Sequence, residues 1–297
     1  MNATRRAMLW VIVSTLLWAV VEEIAMRAQR PYTVPQIVWT RYSIHLLFTA
    51  LLWGWREPAL LWRTRRLGFQ LARSSLMLMT PMAYALSIGH GVPPSPLFGV
   101  FWIAPILIVL LAIPFLGERP SLSTWAAVLV GYIGAWLAQG SPPLPFGRVA
   151  FPLLMALSFT LYVIMTRALR AESIRANLFY TAFGVWLLLT PVVGRNWLTP
   201  TPHDMLIYCA VGILGWGSLY AIDRLAHEAP VSVSAPFTYV QVIFTVGLWT
   251  LHPQIHFGKR IIAGLFIIVA AAAFAWLVNR TPSTQTVAAS LRPQEVP

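Results

Sequence analysis

Long apolar blocks, separated by short turns that carry most of the charge, divide this sequence into ten parts. An apolar stretch of about 18 or more residues is long enough to cross the hydrocarbon core of a bilayer as an α-helix. A soluble domain of this size has about a quarter of its residues charged, whereas here 58% of the residues are hydrophobic and 10% are charged. The pattern therefore predicts an all-α integral membrane protein.

The ten blocks define the predicted transmembrane helices, with ends placed at glycine, proline and charged residues. Several are near the lower length limit for a membrane span, which favours closely packed helices joined by short turns. In chain order they cover residues 8–26, 35–55, 74–91, 95–116, 123–138, 151–166, 176–193, 204–220, 232–251 and 261–278.

A Pro- and Gly-rich linker at residues 140–148 separates a first five-helix repeat, residues 1–139, from a second, residues 149–280. Because each half has an odd number of helices, the second half enters the membrane upside down, which is the inverted-repeat plan of many secondary transporters. We therefore expect two inverted five-helix repeats around a central cavity. Residues 281–297 are polar and contain proline, which predicts a disordered cytoplasmic tail.

The fourth helix of each half contains an Ala-Pro step, at Ala104-Pro105 and at Ala235-Pro236. Paired helix breaks at corresponding positions of two repeats point to a substrate site. Proline removes a backbone hydrogen bond, so we expect kinks or hinges at Pro81, Pro105 and Pro236.

Positively charged residues concentrate in the turns on the side of the two termini. Cytoplasmic turns are enriched in Lys and Arg, so both termini are predicted to be cytoplasmic, in a multi-pass protein of the inner membrane. The net charge of +12 would suggest nucleic acid in a soluble protein. No basic helix face with interleaved aromatic residues is present, so we expect contacts with anionic membrane lipids and no nucleic-acid binding.

Charged residues inside the apolar blocks are the strongest functional signal, because charge in hydrocarbon is costly and marks substrate or ion pathways. Glu22 and Glu23 lie near the outer end of the first helix, and Arg41 lies at a similar depth in the second. A carboxylate and Arg41 are expected to meet, either as a static pair or as a gate. Adjacent glutamates point about 100° apart, so the one left over would bind a cationic substrate or a coupling proton. The sequence leaves open which glutamate pairs with Arg41.

Aromatic and polar residues at mid-helix complete the predicted substrate pathway, since a cavity for an organic solute is lined by such groups. Tryptophan and tyrosine also anchor helices at membrane interfaces, so a structural role is the alternative for each. The residues are Trp18, Tyr84, Trp102, Tyr162, Tyr180, Tyr239 and Gln241.

Patterns typical of soluble enzymes are missing from the sequence: zinc-type histidine spacing, a Gly-rich phosphate loop and a Gly-x-Ser-x-Gly elbow. We therefore expect no enzymatic activity, no cofactor, no metal and no ATP hydrolysis. The single cysteine, Cys209, allows no intramolecular disulfide. Transport would use an ion gradient or the gradient of the substrate itself.

Several motifs resemble the drug/metabolite transporter superfamily, in its EamA-type branch. The first half shows Ala104-Pro105, then Pro114-Phe115-Leu116-Gly117-Glu118-Arg119, then Gly131-Tyr132-Ile133-Gly134; the second half shows Thr166-Arg167, and Ala229-Pro230-Val231-Ser232 leading into 235–241. The resemblance covers residues 8–278. It implies ten helices in two inverted repeats and a central cavity, in a family whose members move amino acids, nucleosides, vitamins and other metabolites, often outward.

Two departures from the family pattern keep the substrate open. Leu251-His252-Pro253 stands where the Gly-Glu turn would recur, and the pair Glu22-Glu23 is not general to the family. Our first interpretation is a secondary active transporter that exports an amino acid or a related zwitterionic or cationic solute by alternating access. The alternatives are uptake of a cofactor or vitamin-like molecule, flipping of a lipid-linked carrier, a scaffold that transports nothing, and, least favoured, a membrane-embedded enzyme.

Overall fold

The structure is a computed structural model that describes residues 3–26, 31–140, 143–195, 197–251 and 258–279. Within these ranges the chain is helical and contains no β-strand. The α-helices are α1 (Ala3–Met26), α2 (Val34–Thr49), α3 (Ala59–Trp62), α4 (Leu67–Gly89), α5 (Pro94–Phe101), α6 (Ala104–Leu116), α7 (Leu122–Gln139), α8 (Ala150–Ala168), α9 (Ile174–Val193), α10 (Pro202–Glu228), α11 (Val231–Ser234), α12 (Val240–Trp249) and α13 (Lys259–Val278). A π-helical turn, Ala50–Gly54, extends α2, and 3₁₀ turns cover Phe146–Arg148 and Ala235–Tyr239.

Eight segments of the described chain are long and apolar enough to cross a membrane. They are α1, α5 with α6, α7, α8, α9, α10, the segment from α11 to α12, and α13. The two other predicted spans are helical as well, but α2 has only 16 residues and α4 carries Arg73. The chain is therefore a multi-pass, all-helical membrane protein, and a total of ten spans stays a prediction.

Two helices are longer than the apolar blocks that predicted them. Helix α4 begins at Leu67, before the expected start at residue 74, and α10 continues to Glu228, past the expected end at residue 220. Arg73 and Asp223, which were expected outside the spans, therefore lie within helices. The predicted tail at 281–297, residues 141–142 of the linker, and His252 with Pro253 lie outside the described residues.

The two Ala-Pro steps coincide with interruptions of helical structure. Helix α5 ends at Phe101 and α6 begins at Ala104, so Pro105 lies in the first turn of α6. In the second half Pro236 lies in the 3₁₀ turn between α11 and α12. Helix α4, by contrast, continues through Pro81 as one helix. Proline lacks the backbone N–H that would continue the helix, and at the first interruption the Ala104 carbonyl accepts a hydrogen bond from the Thr160 hydroxyl.

The helices of the two sequence halves interleave. Helix α1 packs along α10 and α4 along α8, while α2 packs along α9 and α7 along α13. Helix α6 contacts α8, and α12 contacts α1. Each of these contacts joins a helix before the linker to one after it. The central polar residues are therefore contributed by both halves.

The α7–α13 contact is close enough to require glycine. A Cβ built on Gly264 would lie 2.5 Å from the backbone nitrogen of Ala138 and 2.6 Å from the carbonyl oxygen of Gly134. Small residues that let helix backbones approach are typical of membrane helix packing. The other face of α13 is apolar and exposed, with Phe266 at 72%, so this helix lies at the edge of the bundle.

Candidate functional site

The carboxylate of Glu22 links α1 to the interrupted helix of the second half. Trp18 lies one turn before Glu22 on the same face of α1, and its Nε1 donates a hydrogen bond to Glu22 Oε1 over 2.9 Å. The other carboxylate oxygen accepts a hydrogen bond from Gln241 Nε2 over 3.2 Å. Gln241 lies at the start of α12, directly after the 3₁₀ turn that contains Pro236. The interruption thus places the side-chain amide of Gln241 against the half-buried carboxylate of Glu22.

A row of aromatic rings leads from α4 to this interrupted segment. Successive ring centroids are 5.3 to 6.1 Å apart, and the row consists of Tyr84, Phe98, Phe101, Trp102 and Tyr239. Among the described residues, Trp102 Nε1 and the Tyr239 hydroxyl are buried and have no hydrogen-bond partner. Both groups can donate to a polar atom of a solute.

Arg41 lies on the indole of Trp18. Its Cζ is 4.7 Å from the Trp18 ring centroid and 5.0 Å from that of Tyr42. On the side of α10 the guanidinium packs against Gly215, where an added Cβ would lie 3.0 Å from Arg41 Nε. The side chain is only 9% exposed, and within the described part of the chain its Nη2 has no hydrogen-bond partner.

The expected contact between a glutamate and Arg41 is mediated by Trp18 in this structure. Glu22 binds the edge of the indole through its N–H, whereas Arg41 stacks on the indole face. Among the described residues no ion pair joins Arg41 to either glutamate. Glu23 is also buried, at 6% exposed, and its position one residue on directs it to another face of α1.

Two of the predicted pathway residues lie away from Glu22. Tyr180 donates a hydrogen bond to the carbonyl oxygen of Trp62 in α3 over 2.7 Å, so it ties α9 to a connecting helix. Tyr162 is fully buried, and Arg73 Cζ lies 5.3 Å from its ring centroid. The mid-helix position of a tyrosine does not specify which neighbour it faces, and of these two residues Tyr162 lies at a different cluster, that of Arg73.

This second cluster is built on a buried ion pair that the sequence analysis missed. Arg73 Nη1 in α4 and Asp223 Oδ2 in α10 are 3.9 Å apart, and neither side chain is exposed. Both residues lay outside the predicted spans, and charge was interpreted as a mark of turns. The signal that would have revealed Asp223 is the Ala229-Pro230 helix stop, which predicts a longer α10.

Neutral polar side chains form hydrogen bonds with both members of this ion pair. Asn177 Nδ2 donates to Asp223 Oδ1 over 2.8 Å, and Gln70 Nε2 donates to Asn177 Oδ1 over 2.7 Å. Arg73 donates to four acceptors at 2.6 to 3.0 Å, which are the Thr166 hydroxyl, the Gln70 amide oxygen, the Asn177 carbonyl and the Thr181 hydroxyl. A buried ion pair is tolerated when hydrogen bonds satisfy most of its remaining atoms; among the described residues, Arg73 Nε and Asp223 Oδ2 have no hydrogen-bond partner. The cluster joins α4, α8, α9 and α10.

Further contacts join the halves at the face of the bundle where α1 begins and α10 ends, which we call the terminal face. Glu118, in the turn between α6 and α7, accepts hydrogen bonds from the backbone N–H groups of Val231 and Ser232 at 3.0 and 2.9 Å. Arg167 Nε lies 3.8 Å from the same carboxylate. The first N–H groups of a helix lack partners within it, so Glu118 of the first half caps α11 of the second.

The sequence is similar to those of known transporters. Residues 5–139 match the family model described as the EamA-like transporter family. The "S-adenosylmethionine uptake transporter" of Rickettsia conorii is 25% identical over 188 residues, and the match spans 62% of this chain and 63% of that relative. The "Riboflavin transporter" of Vibrio cholerae is 22% identical over 279 residues, which are 90% of this chain and 91% of that relative.

A solved crystal structure shares the fold. It superposes with a TM-score of 0.79 at 17% sequence identity, covering 93% of this chain and 99% of that one. Within the described residues no three His, Cys, Asp or Glu side chains are grouped to hold a metal ion. The matched family and the relatives are transporters and not enzymes. Residues 5–139 are thus similar to the EamA-like transporter family, and nearly the whole chain is similar to a riboflavin transporter.

Proposed function

We propose that this chain is a secondary active transporter that carries a small organic metabolite with a positively charged group, and that Glu22 binds this group. The observation that carries the proposal is the pair of hydrogen bonds from Trp18 and Gln241 to the Glu22 carboxylate. Both donors are neutral, so the negative charge of Glu22 is oriented but not neutralised by them. A carboxylate inside a membrane bundle is costly without a cation, and a solute cation or a coupling proton would supply it.

The aromatic row supports an organic solute. Tyr84 and Trp102 belong to one row of aromatic rings that ends at Tyr239, two residues before Gln241, and aromatic faces attract cations that are partly desolvated. The unpartnered donors of Trp102 and Tyr239 would fix the orientation of polar atoms on the same solute. A molecule with a flat polar portion and a cationic group matches this lining.

The pattern of helix contacts supports two inverted five-helix repeats around a central site. Matching the helices of the halves in chain order pairs α1 with α8, α2 with α9, and α4 with α10. Under this match the contact between α1 and α10 corresponds to that between α8 and α4, and the contact between α2 and α10 corresponds to that between α9 and α4. Contacts that recur in this way are expected from a pseudo-two-fold axis.

Alternating access gives the second cluster a role in this proposal. The Arg73–Asp223 network and the Glu118 cap join the two halves near the terminal face. Passage of a solute through this face requires the helices that carry them to separate. We propose that the terminal face is cytoplasmic in the inner membrane, as the basic turns predict, and that these contacts form the closed gate on that side.

Uptake of a cofactor-like molecule is the second candidate function. The sequence favoured export, but two of the relatives are an S-adenosylmethionine uptake transporter and a riboflavin transporter. Both names refer to molecules with large aromatic ring systems, which suits the row from Tyr84 to Tyr239. The direction is tested by loading proteoliposomes on either side and comparing initial rates.

A thermal-shift screen of the purified full chain in detergent tests the proposed function, because a ligand that binds the folded state raises the melting temperature by mass action. Amino acids, amines, cofactors and isolated lipids form the library. We expect cationic or zwitterionic metabolites to stabilise the wild type and to lose this effect in Glu22→Gln. The matched control is Glu57→Gln, since Glu57 is 52% exposed outside the bundle. Stabilisation by lipids alone, or hits that Glu22→Gln leaves unchanged, would contradict the proposal.

A further inference from the structure

Arg41 is a buried cation with no anion beside it among the described residues. Its side chain is 9% exposed and its Nη2 is buried without a hydrogen-bond partner. The Glu22 carboxylate accepts hydrogen bonds from Trp18 and Gln241, and no ion pair among the described residues includes Arg41. The rings of Trp18 and Tyr42 attract the guanidinium through their faces. They do not provide acceptors for its N–H groups.

The Arg41 guanidinium is packed between side chains and backbone of neighbouring helices. The Trp18 indole covers one side, and α10 contributes Gly215 on another, where a Cβ would come within 3.3 Å of Cζ. The Tyr42 hydroxyl next to it is also buried without a hydrogen-bond partner in the described part of the chain. A planar guanidinium with free N–H groups is the group that binds a carboxylate or a phosphate with two parallel hydrogen bonds.

Two opposite charges are therefore positioned by a single indole. Glu22 is bound to the Trp18 N–H and Arg41 lies on the Trp18 face, and the two side chains form no ion pair with each other. We infer that Arg41 binds an anionic group of the transported solute, so that the site selects molecules carrying both a cationic group for Glu22 and a carboxylate for Arg41. This inference rests on the proposed function and names its substrate class as zwitterionic.

Matched pairs of ligands that differ only in the carboxylate test the inference. The probes are S-adenosylmethionine, arginine and tryptophan, each compared with its decarboxylated amine, and the measurement is the dissociation constant for the full chain in detergent. We expect the carboxylated member of at least one pair to bind the wild type about tenfold more tightly than its amine, as a lost charge-assisted contact implies. In Arg41→Gln this preference disappears, and in Arg41→Lys it is reduced.

A glycine variant tests the same inference without removing a charge. Gly215→Ala places a Cβ 3.0 Å from Arg41 Nε, so the flexible guanidinium must move. We expect the preference for the carboxylated probe to fall. Gly217→Ala is the control in the same helix, because its Cβ would meet only Leu17 Cδ1 at 3.2 Å. Gly215→Ala keeps the test valid if Arg41→Gln fails to fold.

The outcomes separate this inference from the proposed function. Amines that bind as tightly as their carboxylated partners, with binding still lost in Glu22→Gln, would overturn the role of Arg41 and leave that of Glu22. Equal discrimination in Arg41→Gln and wild type, or the absence of binding by every carboxylated probe, would also overturn it. Loss of discrimination in Gly217→Ala as well as Gly215→Ala would show a general packing effect and not a binding role.

Discussion

Arg73 and Asp223 face each other 3.9 Å apart between α4 and α10, with no exposure of either side chain. The pair is the only one among the ion pairs of the described residues in which both partners are fully buried. Removing one partner of a buried pair leaves an uncompensated charge, which costs more than the pair itself contributes. The stability of the bundle therefore depends on both members being present.

Asp223→Asn is expected to destabilise the protein by about 3–5 kcal/mol, because Arg73 would remain buried and charged. The double variant Arg73→Gln with Asp223→Asn should recover a large part of this loss. Thermal or denaturant unfolding in detergent measures both. The control is Glu57→Gln, which removes the exposed partner of Arg175 and should change stability by less than about 1 kcal/mol. A double variant that is less stable than the single one would contradict this explanation.

Glu118→Ala is expected to cost about 1–3 kcal/mol, because the backbone N–H groups of Val231 and Ser232 lose their acceptor. Glu118→Gln retains an acceptor oxygen and should recover part of the loss. Hydrogen exchange of these two amides, compared with wild type, reports on the cap directly. Unchanged protection of both amides in Glu118→Ala would show that the carboxylate does not hold α11.

Gly134→Ala tests the contact between α7 and α13. The new Cβ would lie 2.9 Å from the carbonyl oxygen of Gly264, which is backbone and cannot rotate away. We expect the two helices to separate, at a cost of about 1–3 kcal/mol. Gly68→Ala in α4 is the control, since nothing lies within 4 Å of its added Cβ. Equal melting temperatures for the two variants would contradict the close packing.

Trp18→Phe separates the two functions of this indole. The variant removes the N–H that donates to Glu22 but retains an aromatic face for Arg41. A hydrogen bond to a charged group contributes about 1.5–3 kcal/mol, so we expect roughly tenfold or greater loss of affinity for a cationic solute. Binding to the purified variant measures it, with Trp10→Phe as the control on the same helix. Wild-type affinity in Trp18→Phe would mean that Glu22 needs no orientation by the indole.

The sequence predicted the parts of the fold that depend on local chemistry. Apolar blocks located the helices, and the Ala-Pro steps located the interruptions at Pro105 and Pro236. The turn after α6 was predicted from Gly117, and this residue has a left-handed conformation with φ of 66°, which favours glycine. The sequence was less informative about which residues contact each other in the folded protein. Glu22 was predicted as a site residue from its cost in a membrane, but its contact with Gln241 joins residues 219 positions apart.

Charges near helix ends were the hardest part of the site to predict. Arg73 was interpreted as a turn residue because a charged side chain ends an apolar block, yet the structure places it inside α4. Its guanidinium donates hydrogen bonds to Thr166 of α8 and to Asn177 of α9. Its burial depends on Asp223, Asn177 and Thr166, which the chain brings together only after folding. No local pattern contains this information. Glu118 illustrates the same limit, since the turn was predicted but not the cap on α11.

The interleaving of the helices indicates whether the two halves need the linker in order to assemble. The most extensive helix contacts within the described residues, such as those of α1 with α10 and of α7 with α13, cross from one half to the other. A fragment ending before the linker would leave these surfaces uncovered, and so would the fragment that follows it. Two such fragments inserted into one membrane would associate through the same surfaces. In a split version of the protein, the halves would assemble without a covalent connection, because each half covers the packing surfaces of the other.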